Sequence, residues 1–171
     1  MSAIANQGRL MQPMLVKRLE TPGGESFAEY HSRMVRRAVS ERAAKETVHA
    51  LKTVVLTDGT AVKAQLEHYT VAGKTGTAQK PGPGGYSDQH VASFIGFFPA
   101  DDPEVCISIM LDEPDAGKGY YGGQVAAPVF KQVAEQVANY LKIRPDREEV
   151  MSDTMARRGA NRLRTAAVGE P

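Results

Sequence analysis

Apolar and polar positions change period several times along the chain, and the changes mark its elements. Val91–Pro99 (V-A-S-F-I-G-F-F-P) and Val105–Leu111 (V-C-I-S-I-M-L) are nearly continuous apolar runs of strand length. Such runs suit strands covered on both faces. The short link Ala100–Glu104 makes the two antiparallel neighbours. Upstream, Val71–Gln79 opens on Val71 and carries Thr75 and Thr77, residue types that favour extended backbone. Gln124–Leu141 follows helical spacing instead. Val125, Val129, Val133, Val137 and Leu141 form one stripe, widened by Ala126, Phe130 and Ala134. That helix is expected to pack across the sheet, with Pro128 tolerable only within its first turn.

The remaining pattern is weaker. Met1–Gly8 reads as the last turns of a helix ending at a glycine cap. It is too short to be stable alone, so it looks like the tail of a longer helix. Pro13–Glu20 reads as a strand, Thr21–Gly24 as a turn, Ser26–Arg33 as a loop and Met34–Val39 as a short strand. Ser40 is a good N-cap with Glu41 in the first turn. Ala44, Val48, Leu51 and Val55 follow at helical spacing until Asp58-Gly59. Gly59–Ala64 is a connector and Leu66–Tyr69 leads into the Val71 strand. Lys80–Asp88 (K-P-G-P-G-G-Y-S-D) reads as a mobile hairpin loop beside that strand, with Tyr86 its one aromatic. The expected fold class is α/β of the α+β type, an antiparallel sheet with helices packed on it. Residues 1–143 form the domain. Arg144–Pro171, poor in large apolar residues, reads as a disordered, partly basic tail.

Composition narrows the function. A chain of 171 residues fits one domain with a sizeable core. Its net charge of +1 points to neither nucleic acid nor an anionic membrane as partner. The single cysteine, Cys106, excludes an internal disulfide and is expected to be buried in its apolar run. His31, His49, His68 and His90 lack metal-ligand spacing, so neither metal nor cofactor is implied. His49 reads as a surface residue, and Asp112 and Glu113 as solvated acids at a strand end. No window approaches the ~20 apolar residues of a membrane span, and the N-terminus has no signal-peptide pattern.

Chemistry concentrates in Val71–Lys80, V-A-G-K-T-G-T-A-Q-K. In a regular strand Lys74, Gly76 and Ala78 point to one face and Thr75 and Thr77 to the other. A twist or bulge at Gly76 would bring Lys74 and Thr77 closer. G-K-T suggests a phosphate-binding loop, but that loop needs a glycine five positions before Gly73, where His68 stands. Pro81, Gly82, Pro83, Gly84 and Gly85 also follow where a helix would have to start. The alternative is the K-T-G element of serine enzymes that act on penicillins and peptidoglycan stem peptides.

Three longer stretches favour that alternative: A-G-K-T-G-T-A-Q at Ala72–Gln79, F-I-G-F-F-P at Phe94–Pro99, and Y-Y-G-G-Q-V-A-A-P-V-F at Tyr120–Phe130. Together they resemble the C-terminal part of the transpeptidase domain of class B penicillin-binding proteins, most like the septal, cell-division type. The resemblance runs from about Ser2 to Leu141. It implies the serine β-lactamase/transpeptidase-like fold in incomplete form. By resemblance, Lys74 supplies positive charge near the substrate carboxylate, and Thr75 and Thr77 offer it hydroxyls. Gly76 keeps the strand open, and the Thr77 N–H is one of two oxyanion donors, a group worth ~3 kcal/mol of transition-state stabilisation.

The family also uses S-x-x-K for its nucleophile and S-x-N for a second polar pair. No Ser here has Lys three residues on, and no Ser-x-Asn occurs. The chain is therefore expected to carry one wall of an active site and to be inactive alone. The implied parent is a serine-type D,D-transpeptidase that cross-links stem peptides and is trapped by β-lactams. It would be anchored in the cytoplasmic membrane with this domain on the extracytoplasmic side; no anchor lies in this chain. The implied partners are the missing N-terminal half of the domain, a membrane glycosyltransferase and other division proteins. The rival expectations are a β-lactamase or carboxypeptidase of the same fold, or a non-catalytic β-lactam sensor or interaction module.

Overall fold

The computed structural model describes residues 1–115, 117 and 119–147. Its centre is a three-stranded antiparallel sheet of β5 (Ala72–Gly82), β6 (Gly85–Phe98) and β7 (Val105–Asp112), in that order. The register runs Ala72↔Phe97, Thr77↔Ala92 and Phe94↔Ile109, as the apolar runs require. Before it come α1 (Ser2–Ala5), β1 (Arg9–Met11), β2 (Arg18–Glu20), β3 (Ser26–Glu29), β4 (Met34–Arg37) and α2 (Glu41–Thr53). The last helix is α3 (Gly122–Leu141). Two small antiparallel sheets, β1–β4 and β2–β3, lie outside the main one.

Each face of the main sheet has its own core. On one, Val71, Phe94 and Phe98 pack against Ala126, Ala127, Phe130, Ala134 and Ala138 of α3. Phe94 and Phe130 meet edge to face at 4.8 Å, and burying such a ring contributes roughly 3 kcal/mol. The buried stripe of α3 is thus the alanine line with Phe130. The valine line is only partly buried and Leu141 is exposed. Small side chains let the helix sit close to the sheet. Pro128 lies beyond the first turn expected for it. Its missing N–H leaves the Gln124 carbonyl without its helical donor.

On the other face Ala72, Phe97 and Ala100 pack against Met1, Ala5, Val48 and Leu51 of α1 and α2. Ser40 caps α2 as its position implied, its hydroxyl accepting from the Ala43 N–H at 3.1 Å. The Met1–Gly8 helix stops short of its glycine: α1 ends at Ala5 with Asn6 as its C-cap, Gln7 takes the left-handed position with φ of +54°, and Gly8 follows, its N–H donating to Ala3 O at 2.7 Å. These helices reach only one end of the sheet. Exposure therefore alternates along β7, and Cys106 and Met110 are exposed where both faces had been expected to be covered.

Two loops and one strand of the sequence reading take other forms. Ser26–Arg33 contains β3, because the Thr21–Gly24 turn, closed by Gly24 N–H to Thr21 O at 2.9 Å, folds it onto β2. The strand expected over Pro13–Glu20 shrinks to Arg18–Glu20 for want of a longer partner. Lys80–Asp88 is not a loop, since β5 and β6 run through it to a turn at Pro83-Gly84. Gly84, with φ of +83°, supplies that turn. Pro81 is tolerated because β5 is an edge strand.

The chain after α3 also departs from the expected tail at its start. Ile143, the last residue of the expected domain, is buried and accepts the Tyr69 hydroxyl at 2.8 Å. Asp146 accepts the Thr70 N–H at 2.7 Å and the Thr70 hydroxyl. Arg147 donates to Leu66 O at 2.9 Å. Residues 144–147 thus lie against the segment that enters β5. The rest of the expected tail, 148–171, lies outside the described residues.

Candidate active site

The candidate residues sit mid-way along β5, at the edge of the sheet. Lys74 pairs with Ile95, Thr75 with Phe94, Gly76 with Ser93 and Thr77 with Ala92. No register shift occurs at Gly76. The irregularity falls between Gln79 and Pro81, where β6 carries the extra residues. Regular alternation therefore holds across the site. Lys74 and Gly76 follow Ala72 on the α2 face, and Thr75 and Thr77 follow Val71 on the α3 face. The edge between the two faces is what Lys74 and Thr77 share.

Each side chain has a partner. Lys74 is exposed and its Nζ donates to Thr75 O at 2.6 Å. Thr75 Oγ1 lies 3.1 Å from Thr60 Oγ1. Thr77 Oγ1 accepts the Gly122 N–H at 3.2 Å. A hydroxyl has one proton and two lone pairs. With a lone pair taken by Gly122, the Thr77 proton, which meets no acceptor among the described residues, is available to an anionic group beyond the strand edge. Gly122 is needed for this approach, since a Cβ there would stand 2.1 Å from Ser93 O and 2.6 Å from Gly76 O. The sequence signal was the Gly122-Gly123 pair opening a helix. Thr60 had no signal at all, because only the fold brings it to Thr75.

Beyond Thr77 the end of the sheet carries a charged cluster. Lys80 Nζ lies 2.6 Å from both Asp112 Oδ1 and Glu113 Oε1, so these acids are ion-paired where free solvation had been expected. The hydrogen bonds to Asp112 and then Glu113 hold the Lys80 ammonium above the ordinary lysine range. His90 stacks on Tyr120 with ring centres 4.3 Å apart. Tyr120 donates to the Tyr121 hydroxyl at 3.2 Å, and that contact pushes the Tyr120 phenol up. Tyr86 is exposed, and so is His49, far from this end. Among the described residues no three His, Cys, Asp or Glu gather as a metal site would need.

Residues 1–135 match the family described as "Penicillin binding protein transpeptidase domain". The chain belongs to this family. Stage V sporulation protein D of Bacillus subtilis is 36% identical to it over 151 residues, covering 87% of this chain and 23% of that protein. The peptidoglycan D,D-transpeptidase FtsI of Escherichia coli is 40% identical over 111 residues, 64% of this chain and 19% of FtsI. Among solved structures, penicillin-binding protein 3 of Mycobacterium tuberculosis superposes with a TM-score of 0.72 at 33% identity, over 85% of this chain and 34% of that one. That protein has been solved with aztreonam and with ampicillin. The penicillin-binding transpeptidase fold is therefore present here, as its motifs implied, though the chain spans only about a fifth to a third of the relatives' length. No helix among the described residues is long and apolar enough to cross a membrane.

Proposed function

We propose that this chain forms the K-T-G wall of a septal-type class B peptidoglycan D,D-transpeptidase. The observation that carries the reading is the pair Lys74 and Thr77 on an open edge strand, with the first N–H of α3 fixing the Thr77 hydroxyl. An extended stem peptide would lie along that edge, adding a strand to the sheet. Its carboxylate would take the Lys74 charge and the Thr75 and Thr77 hydroxyls. A serine from the other half of the domain would attack the peptide carbonyl, and the Thr77 N–H would be one donor to the oxyanion. A β-lactam would enter the same way and remain as an acyl-serine ester. The parent would act on the extracytoplasmic side of the cytoplasmic membrane, beside a membrane glycosyltransferase and other division proteins. The domain proper is residues 1–143 with the docked stretch to Arg147.

The test is a chimera in which residues 1–147 replace the matching part of E. coli FtsI, which then supplies the serine. Incubation with a fluorescent penicillin is expected to label the chimera in proportion to protein. A chimera that melts cooperatively yet takes up no label sinks the proposal.

A further inference from the structure

We infer that Lys80 is a positioning residue for Thr77, acting through a chain of contacts that crosses the end of the sheet from one face to the other. The inference rests on the reading of Thr77 as an active-site residue. Lys80 stands at the irregularity of the β5–β6 pair, where it has no partner in register. Irregularities of this kind re-aim a side chain. Here the ammonium reaches across β6 to Asp112, the last residue of β7, and to Glu113 beyond it. Its side chain is only 26% exposed, so it is enclosed more than its partners are.

Glu113 carries the link to the other face. It is a non-glycine residue in the left-handed region, with φ of +51°. Such a conformation persists only where the surroundings hold it. Two contacts hold it here: the carboxylate on Lys80, and its own N–H donating to His90 O at 2.9 Å. His90 pairs with Gln79, two residues past Thr77, and so faces the same side as Thr77. Its Nδ1 lies 2.9 Å from Asp88 O. A carbonyl can only accept, so that nitrogen carries the proton and the ring is fixed in plane. The ring stacks on Tyr120. Tyr120 donates to Tyr121, the N-cap residue of α3. The next N–H, that of Gly122, is the one that holds the Thr77 hydroxyl.

The consequence is specific. The Tyr121 N-cap makes no side-chain cap hydrogen bond to its helix. The Tyr121 carbonyl accepts the Gln124 and Val125 N–H groups, so what remains for its side chain to contribute to the placement of the Gly122 N–H comes through the His90–Tyr120 stack, which Lys80 anchors through Glu113. Without the ion pair, Glu113 loses one of the two contacts that hold its left-handed backbone, and the stack loses its backing. The Thr77 hydroxyl is then no longer turned to present its proton at the strand edge.

Two measurements test this. In the 171-residue chain, amide exchange of Gly122 and the ring-current shifts of the His90 protons are read by NMR for the parent sequence, Lys80→Met and Lys80→Arg. Lys80→Met is expected to speed Gly122 exchange about tenfold, the scale of one lost hydrogen bond, and to move the His90 signals. Lys80→Arg, which keeps the charge and two donors, restores both. Lys80→Met that folds and leaves Gly122 and His90 unchanged overturns the inference, as does Lys80→Arg behaving like Lys80→Met. The second measurement is the rate of penicillin acylation in the FtsI chimera. A chimera that acylates, but does so equally fast with Lys80→Met, also overturns it. If the parent chimera is never acylated while the NMR effects appear, the contact chain stands and the transpeptidase reading fails.

Discussion

Asp146 takes both the N–H and the hydroxyl of Thr70, a residue 76 positions earlier in the chain. The Thr70 oxygen in turn accepts the Ala100 N–H at 2.9 Å. One carboxylate thus ties the segment after α3 to the entry of β5 and the exit of β6. Asp146→Ala is expected to lower stability by about 1 kcal/mol, since the carboxylate is largely exposed and its bonds are worth correspondingly less. Asp146→Asn keeps one acceptor and is expected to lose about half as much. Urea denaturation of the three proteins checks the order, and an Asp146→Ala midpoint equal to the parent's would show that the contact contributes nothing.

Gly122 gives a sharper test of the helix-to-sheet approach. Its missing Cβ would lie 2.1 Å from Ser93 O and 2.6 Å from Gly76 O, both backbone atoms that cannot swing aside. Gly122→Ala is expected to push the start of α3 off the sheet and cost about 2 kcal/mol, the usual scale of overpacking. The Gly122 amide, freed from Thr77, should then exchange as fast as solvent-exposed amides. A fully stable Gly122→Ala protein with a protected amide at that position would contradict the geometry.

Phe130 anchors the same helix from its middle, between Phe94 and Phe98. Phe130→Ala leaves a cavity lined by rings and alanines and is expected to cost about 3–5 kcal/mol. Val129→Ala, on the partly buried line, is expected to cost about 1 kcal/mol or less. Equal losses at the two positions would mean that the valine stripe, not the alanine line, is the core face.

In the sheet, β6 and β7 were legible because their apolar runs are long and nearly continuous, and β5 because its Val and Thr favour extended backbone. The order β5-β6-β7 and the helix α3 follow from residues 71–141 alone. What escaped was set by coverage rather than by local pattern. Val105–Leu111 cannot reveal that helices on the second face reach only Ala72, Phe97 and Ala100. Hence Cys106 reads as core and is exposed. The Lys80–Asp88 stretch looks like a loop because Gly and Pro dominate it, yet two glycines at positive φ are what a tight hairpin needs. At the site, Lys74, Thr75, Gly76 and Thr77 were named by motif, and alternation placed their faces correctly. The partners Thr60, Gly122 and Lys80 were not named, because each lies far in sequence from what it touches or carries no motif.

Tyr69 is a group whose ionisation opposes the fold at alkaline pH. Burial, with Asp146 and Glu104 nearby, pushes its phenol above the ordinary 10.0. The folded state therefore prefers the neutral phenol. Its contribution is complete below pH 10.0 and is lost as pH rises through the folded value. Ionisation also removes the proton that Tyr69 donates to Ile143 O. Tyr69→Phe is expected to cost about 1 kcal/mol at neutral pH and to flatten the fall in stability above pH 10.0. Melting curves from neutral to alkaline pH on both proteins test this. Parallel curves would rule Tyr69 out as the group responsible.

Penicillin separates the wall of the site from its nucleophile. The 171-residue chain has no S-x-x-K, so it is expected to show no mass increase after incubation with penicillin, although Lys74 and Thr77 are both in place. Preorganised charge cannot acylate without a nucleophile. A stoichiometric adduct, seen by intact-protein mass spectrometry, would refute this. In the FtsI chimera the two residues are expected to differ. Lys74→Ala removes a charge that acts on the substrate carboxylate and on the reacting centre together, and should slow acylation by about a hundredfold or more. Thr77→Ala keeps the backbone N–H proposed for the oxyanion and loses only the hydroxyl that Gly122 orients, so about tenfold is expected. Thr77→Ser retains that hydroxyl and should stay near the parent rate. Thr77→Ala slower than Lys74→Ala would reverse the roles assigned to the two residues. Thr77→Ser as slow as Thr77→Ala would show that the methyl group, not the hydroxyl held by Gly122, is what the site requires.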